Sequence, residues 1–495
     1  STTSGVVVFS TAITGGTGND NNTIDNCSLN GGGVTANIIY ALGTTTTAAN
    51  NNSNITISNN NIRDFFVATS ATNGILVSSG NTDWSITGNS FYQTATRTFT
   101  ASNTQTAINI SNSSGNNFLV SGNYIGGSTA NAGGAAYNIS GTTTFATRYR
   151  AISLSVGTTT ASSVQGNTIT NMTYKSSSGL STAGGPWVGI YVSAGNVNIG
   201  TVTGNTIGAA TGTGAIKDTV TTTNAISAGI YIDGGSIHNI ANNIIGGIDV
   251  VGSTTSISHG FTGIHVATSS TPTVYSNTIG STSTSNSINS ITASTNVSVP
   301  VVTGILQAGS GTARIYGNTV ANLNSAYLPA SATALIMRGI YASSGIDSIA
   351  GNTVYNITCA TASTGSGTTA SIIGIGNASG IAGSNSIRGN TVHSLTNSNN
   401  SVAVVVTGIY YGGPSAGGLI DKNLVYSLTS PSTSALVNGI HAAASATYQN
   451  NMIRLGIDAT GAATATTTPY NGFLETAGAN SVLNNTVYID GSVSG

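Results

Sequence analysis

The sequence predicts an all-β fold, a right-handed parallel β-helix of about thirteen coils with variable loops on one side. Three observations predict it: a tripeptide that recurs along the chain, a second signature in fixed phase with it, and alternating apolar residues between the two. The tripeptide is Asn, any residue, then Ile or Val. Its Asn falls at Asn22, Asn60, Asn123, Asn167, Asn205, Asn243 and Asn277, then at Asn318, Asn352, Asn390, Asn423, Asn451 and Asn485, with Asn89-Ser90-Phe91 as a relaxed copy. The mean period is about 36 residues, in the range of stacked supersecondary repeats.

The second signature is Gly-Ile, as in Gly74-Ile75, Gly189-Ile190-Tyr191, Gly229-Ile230-Tyr231, Gly263-Ile264-His265, Gly304-Ile305, Gly339-Ile340-Tyr341, Gly374-Ile375, Gly408-Ile409-Tyr410 and Gly439-Ile440-His441. From this Gly (or its Ala variant) to the next Asn is always 12 to 16 residues, whereas from Asn to the next Gly varies from 14 to 28. One half of each unit is therefore fixed and the other carries insertions, such as 129–149, 209–226 and 281–300. In the fixed half Ile190 and Val192 flank Tyr191, and Ile230 and Ile232 flank Tyr231, the period of a strand with one buried face. Gly often precedes the Asn, as in Gly166-Asn167 and Gly351-Asn352, and this pair is turn chemistry. Apolar residues at Asn+2 and Asn+5, such as Val354 with Ile357, open the next strand. Coils of this kind cannot bury their own apolar face and must stack. Stacking turns the recurrent Asn into a ladder whose amides satisfy the turn backbone and each other.

Charged residues are only 5% of the chain, against 39% hydrophobic, so the solvent face must be made of hydroxyls and amides. A net charge of −1 excludes electrostatic capture of nucleic acid. No apolar run is long enough to insert in a membrane. Cys27 and Cys359 fall in distant coils and read as two buried small hydrophobes, not a disulfide. The 495 residues read as a single β-helix domain, a segment of a longer chain or a unit whose ends stack on other subunits.

Gly18-Asn19-Asp20-Asn21-Asn22-Thr23-Ile24-Asp25-Asn26-Cys27, with the Gly-Ile-Tyr and Gly-Asn-Thr-Ile units, resembles right-handed parallel β-helix proteins of Bacteroidetes exported by the type IX secretion system. The resemblance covers essentially the whole chain and implies an extracellular or outer-surface location, while saying little about activity. It also implies O-glycosylation of Asp-(Ser/Thr)-apolar triplets, here Thr219 in Asp218-Thr219-Val220 and Ser348 in Asp347-Ser348-Ile349.

The motifs point to a structural or adhesive surface protein without catalytic activity. The alternative is a polysaccharide-binding or polysaccharide-degrading lyase or hydrolase. Glycoside cleavage needs paired carboxylates, and twelve acids are spread over the whole chain. The densest ionisable stretch is Lys217, Asp218, Asp233, His238, Asp249, His259 and His265, where repeat register sets Asp233 near His265. The residue after Gly-Ile gives a stripe of Tyr191, Tyr231, Tyr341 and Tyr410 that could stack on surface glycans. Thr at Asn+1 (Thr23, Thr168, Thr206, Thr278, Thr319, Thr353, Thr391, Thr486) suits an outward strand position and lacks the paired files an ice-binding face needs. Calcium-roll, zinc and phosphate-loop motifs are absent, and no cofactor is expected.

Overall fold

A computed structural model describes residues 4–10, 16–140, 145–177, 184–254, 256–291, 302–326, 328, 337–414, 417–464 and 468–491. Its strands are parallel and stack coil upon coil into a β-solenoid of three main sheets, which we call A, B and C, with Asn52–Ser53 and Asn81–Thr82 as a separate two-stranded pair. The chain divides into two compact units, Ser1–Ala209 with Gly214–Ile248, and Ala210–Thr213 with Asp249–Gly495.

In the first unit, sheet A holds Val7–Phe9, Asn37–Ala41, Thr72–Val77, Thr104–Ser111, Arg148–Ser155, Trp187–Ala194 and Ala225–Ile232. In the second it holds His259–Val266, Val302–Gln307, Met337–Ala342, Ile372–Asn377, Val405–Tyr411, Leu436–Ala442 and Tyr470–Glu475. These are the Gly-Ile strands. Each is followed by a short strand of sheet B, a tight turn, and a strand of sheet C that begins just after the recurrent Asn; Ile346–Ala350 and Thr353–Cys359 are one such pair. The long, variable connections run from sheet C back to sheet A.

Like residues stack on like. Ile39, Ile75, Ile108, Ile152, Ile190 and Ile230 are in register in the first unit. Ile264, Ile305, Ile340, Ile375, Ile409 and Ile440 are in register in the second. All are fully buried. Where a glycine precedes the Ile, as at most of these positions, it is explained by the file facing it. A Cβ on Gly339 would sit 2.4 Å from both the Val354 Cγ1 and the Gly374 carbonyl oxygen. The Ile or Val at Asn+2 on sheet C thus occupies the space the glycine leaves, which couples the two sequence signatures.

The Asn ladder is built as follows. The backbone N–H and Nδ2 of Asn352 both donate to Oδ1 of Asn390 at 2.9 Å, and Nδ2 also donates to the Ile315 carbonyl at 3.0 Å. Asn60, Asn89, Asn123, Asn167 and Asn205 repeat the pattern, ending on Asn243 in the first unit. Asn277, Asn318, Asn390, Asn423 and Asn451 repeat it in the second, ending on Asn485. Buried amides whose hydrogens and oxygen are all engaged carry little desolvation penalty.

Asn22 is not part of it. Thr23–Asp25 pairs with Thr56–Ser58 on sheet B, so the Asn22 triplet lies one side of the triangle too early. The rung in that coil is Cys27, whose N–H donates to Oδ1 of Asn60 at 2.9 Å. Unlike the buried asparagine rungs, Cys27 is exposed, which corrects the expectation of two buried cysteines; Cys359 is buried as expected.

Two backbone devices shape most of the corners. The residue before the rung is left-handed, with φ of 60° at Gly351 and Gly389 and 54° at Asn59, which accounts for the Gly-Asn and Asn-Asn pairs. The residue at Asn+4 is left-handed too: Asp64, Asn171, Asn322, Asn356, Ser394 and Ser427. This extra residue resets the alternation, so that Asn+2 and Asn+5 both face inward.

Candidate functional site

The stripe on sheet A is largely covered. Tyr231, Tyr341 and Tyr410 are 7%, 3% and 6% exposed. Tyr341 and Tyr410 join Ala370, Ile373 and Val405 in a small hydrophobic cluster outside the main core, with Leu306 and Leu436 packed against it. Arg338 lies 3.9 Å over the Tyr341 ring, and His441 meets Tyr410 edge to face at 5.2 Å. Tyr191 alone of the four is partly open; it donates to Oδ2 of Asp233 at 2.8 Å and lies under Arg150. In this structure the stripe serves packing more than display.

The ionisable stretch is split. Asp233 belongs to the first unit and His265 to the second. Asp218, His238 and His259 face inward and are essentially unexposed. Asp218 accepts from Ser227 Oγ at 2.6 Å, and burial pulls His238 down to about 4, keeping it neutral. Among the described residues no group of three or more His, Cys, Asp or Glu is placed to hold a metal ion. No helix among them is long and apolar enough to cross a membrane.

Thr219 and Ser348 lie within strands, not loops. Both are partly exposed, each beside an inward-facing aspartate. Ser348 accepts from Ser386 Oγ at 3.3 Å. Its neighbour Asp347 is 1% exposed, and its carboxyl is pushed up to about 8 by burial. Asn377 Nδ2 donates to its Oδ2 at 3.2 Å, while Oδ1 has no hydrogen-bond partner among the described residues.

Aromatic side chains reach the surface on sheet B of the second unit, where Tyr275 stacks on Tyr316 at 5.2 Å, and as a longer column on sheet C at Asn+3. Tyr355 stacks on His393 at 5.0 Å and 3°, and His393 on Tyr426 at 4.6 Å and 6°. Arg454 continues the column 5.2 Å over the Tyr426 ring, and Tyr488 follows it in register. Partial burial in this column holds His393 below the ordinary imidazole range. The Asn+1 file runs alongside. Its threonines (Thr319, Thr353, Thr391) give way to Leu424 and Met452, which is 58% exposed. Leu424, Tyr426, Met452, Arg454 and Tyr488 border a shallow depression of about 450 Å³. The Gly-Ile column of the sequence does not lead to it. The signal was present at Asn+3, which reads Tyr, His, Tyr, Arg, Tyr from 355 to 488.

The fold and this surface define the chain as a parallel β-solenoid with an aromatic column on one outer face. In comparisons with known families, curated proteins and solved structures, nothing matches the chain.

Proposed function

We propose that this chain is a structural and adhesive solenoid displayed outside the cell, one that holds ligands without altering them chemically. The observation that carries the reading is the exposed patch of Leu424, Met452 and Tyr488, which border one depression on sheet C. Apolar side chains where neighbouring coils place threonine work against solubility, and contiguous exposed apolar surface marks binding sites. A scaffold of stacked coils suits this role, because each coil presents its outer positions at a fixed spacing. On this reading the chain leaves the cell by the type IX route of the Bacteroidetes proteins it resembles.

The test is retention under flow. Beads coated with the purified chain should hold to polysaccharide-coated glass more strongly than albumin-coated beads, and soluble polysaccharide should be recovered uncleaved. Retention no better than albumin sinks the adhesive reading, and release of new reducing ends transfers the chain to the degrading class.

A further inference from the structure

We infer that the depression on sheet C of the second unit is a subsite for an acidic polysaccharide, one whose sugar rings carry carboxylate or sulfate. This rests on the adhesive reading above and names its ligand class. The argument starts from Arg454. Its guanidinium lies over the Tyr426 ring, Nη2 donates to the Asp458 carbonyl at 3.1 Å, and Nε is buried without a hydrogen-bond partner among the described residues. A guanidinium carries five donors in a planar fork matched to oxyanions. Among the described residues the protein uses one of them.

Neither nearby carboxylate forms an ion pair with Arg454 among the described residues. Oδ1 of Asp458 accepts from Thr460 N, Thr460 Oγ1 and Ala462 N, turned back into its own loop. Oδ2 of Asp490 accepts from the Tyr488 hydroxyl at 2.6 Å, and Oδ1 from Gly491 N at 2.7 Å. With Nε buried, the Nη groups of an arginine that has no ion pair among the described residues are what it can offer an outside partner, in a chain with only eleven lysines and arginines.

The walls give the rest of the ligand. Leu424 and Met452 offer an apolar strip beside Tyr426 and Tyr488, two coils apart, with Arg454 between them. A sugar ring has apolar C–H faces and a polar rim, and fits a depression whose floor is apolar and whose lining has one cationic side chain mid-way. The open, shallow form suits an internal stretch of a long chain rather than an enclosed small molecule.

The experiment is titration calorimetry of the full chain with hexasaccharides of alginate, of chondroitin sulfate and of cellulose, and with a poly-glutamate peptide. Binding of the alginate or the chondroitin sulfate probe, weakened by salt, is expected; alginate carries carboxylate alone and chondroitin sulfate both groups, so a gain for the latter reports the added sulfate. Arg454→Gln should lower that affinity at least ten-fold with an unchanged circular dichroism spectrum, and Met452→Thr should weaken it without changing its salt dependence. Equal binding of the cellulose probe, equal binding of poly-glutamate, no binding at all, or an Arg454→Gln variant that binds like the parent each overturns the site. Should Arg454→Gln beads still hold under flow while the hexasaccharides fail to bind, the subsite is lost and the adhesive reading stands.

Discussion

At the scale of single residues, glycine has two different reasons to be present, and they predict different outcomes. Gly351 is left-handed, and a Cβ there would meet nothing within 4 Å, so only its backbone conformation resists a side chain. Gly351→Asn should cost less than about 1 kcal/mol, as Asn visits this region readily. Gly339 has no such φ but no room, and Gly339→Ala should cost about 3 kcal/mol or more through overpacking. Paired thermal melts of the two variants check the contrast. Asp347 makes a third case. Its carboxyl titrates near 8 in the folded chain against 3.8 for an ordinary aspartate. The folded state therefore binds the proton more tightly, and stability is lost as pH rises from about 4 through 8. Asp347→Asn should raise the melting temperature at pH 8 and leave it nearly unchanged at pH 4. A gain of the same size at both values would contradict the assignment.

Elements are held by the ladder. Removing Asn390 takes away the Oδ1 that accepts both the N–H and the Nδ2 of Asn352, and orphans the Ile349 carbonyl. Asn390→Ala should cost about 3 kcal/mol or more. Asn22→Ala should cost less than about 0.5 kcal/mol, since that amide is exposed and donates only to the Asp20 carbonyl. Denaturant titrations of the two variants separate a rung from a look-alike.

The same elements show what was legible in the sequence. Thirteen rungs were readable because one residue type serves one geometry, a buried amide after a left-handed turn. The rung at Cys27 was not, because there the chain keeps the backbone hydrogen bond and drops the side-chain one. The inward residues were readable from period two, yet the left-handed residue at Asn+4 that reconciles Asn+2 with Asn+5 needs φ to be seen. The Tyr341 and Tyr410 stripe misled because alternation says which residues leave the core, not what else then covers them. Ala370, from the connection ahead of Ile372–Asn377, packs in that cluster, and such contacts lie outside any local pattern.

For the molecule as a whole, low charge sets the response to solvent. Only 5% of residues are charged. Arg97–Asp64, at 2.6 Å, is largely shielded from water, and Arg388–Asp421, at 3.2 Å, is half open. Cohesion comes from stacked aliphatic files and amide ladders, and neither is screened by salt. The melting temperature should move by less than about 3 °C between roughly 0.01 M and 1 M sodium chloride, measured by circular dichroism. A large salt-dependent shift would mean that charge, not packing, holds the coils together.

The ladder also has a direction. Each rung gives its backbone N–H and one side-chain hydrogen forward to the oxygen of the following coil, so it is completed by what comes after it in the chain. Because donor and acceptor geometry is the same at each step, the chain carries its own splice sites. Asn352 and Asn390 are 38 residues apart, and excision of 353–390 joins two corners that are chemically interchangeable. A shortened protein cut at that spacing should fold, whereas a cut of half that length should not. Coil number is then a quantity that recombination can raise or lower without redesigning anything, and the length of such a protein is free to follow the distance it has to reach.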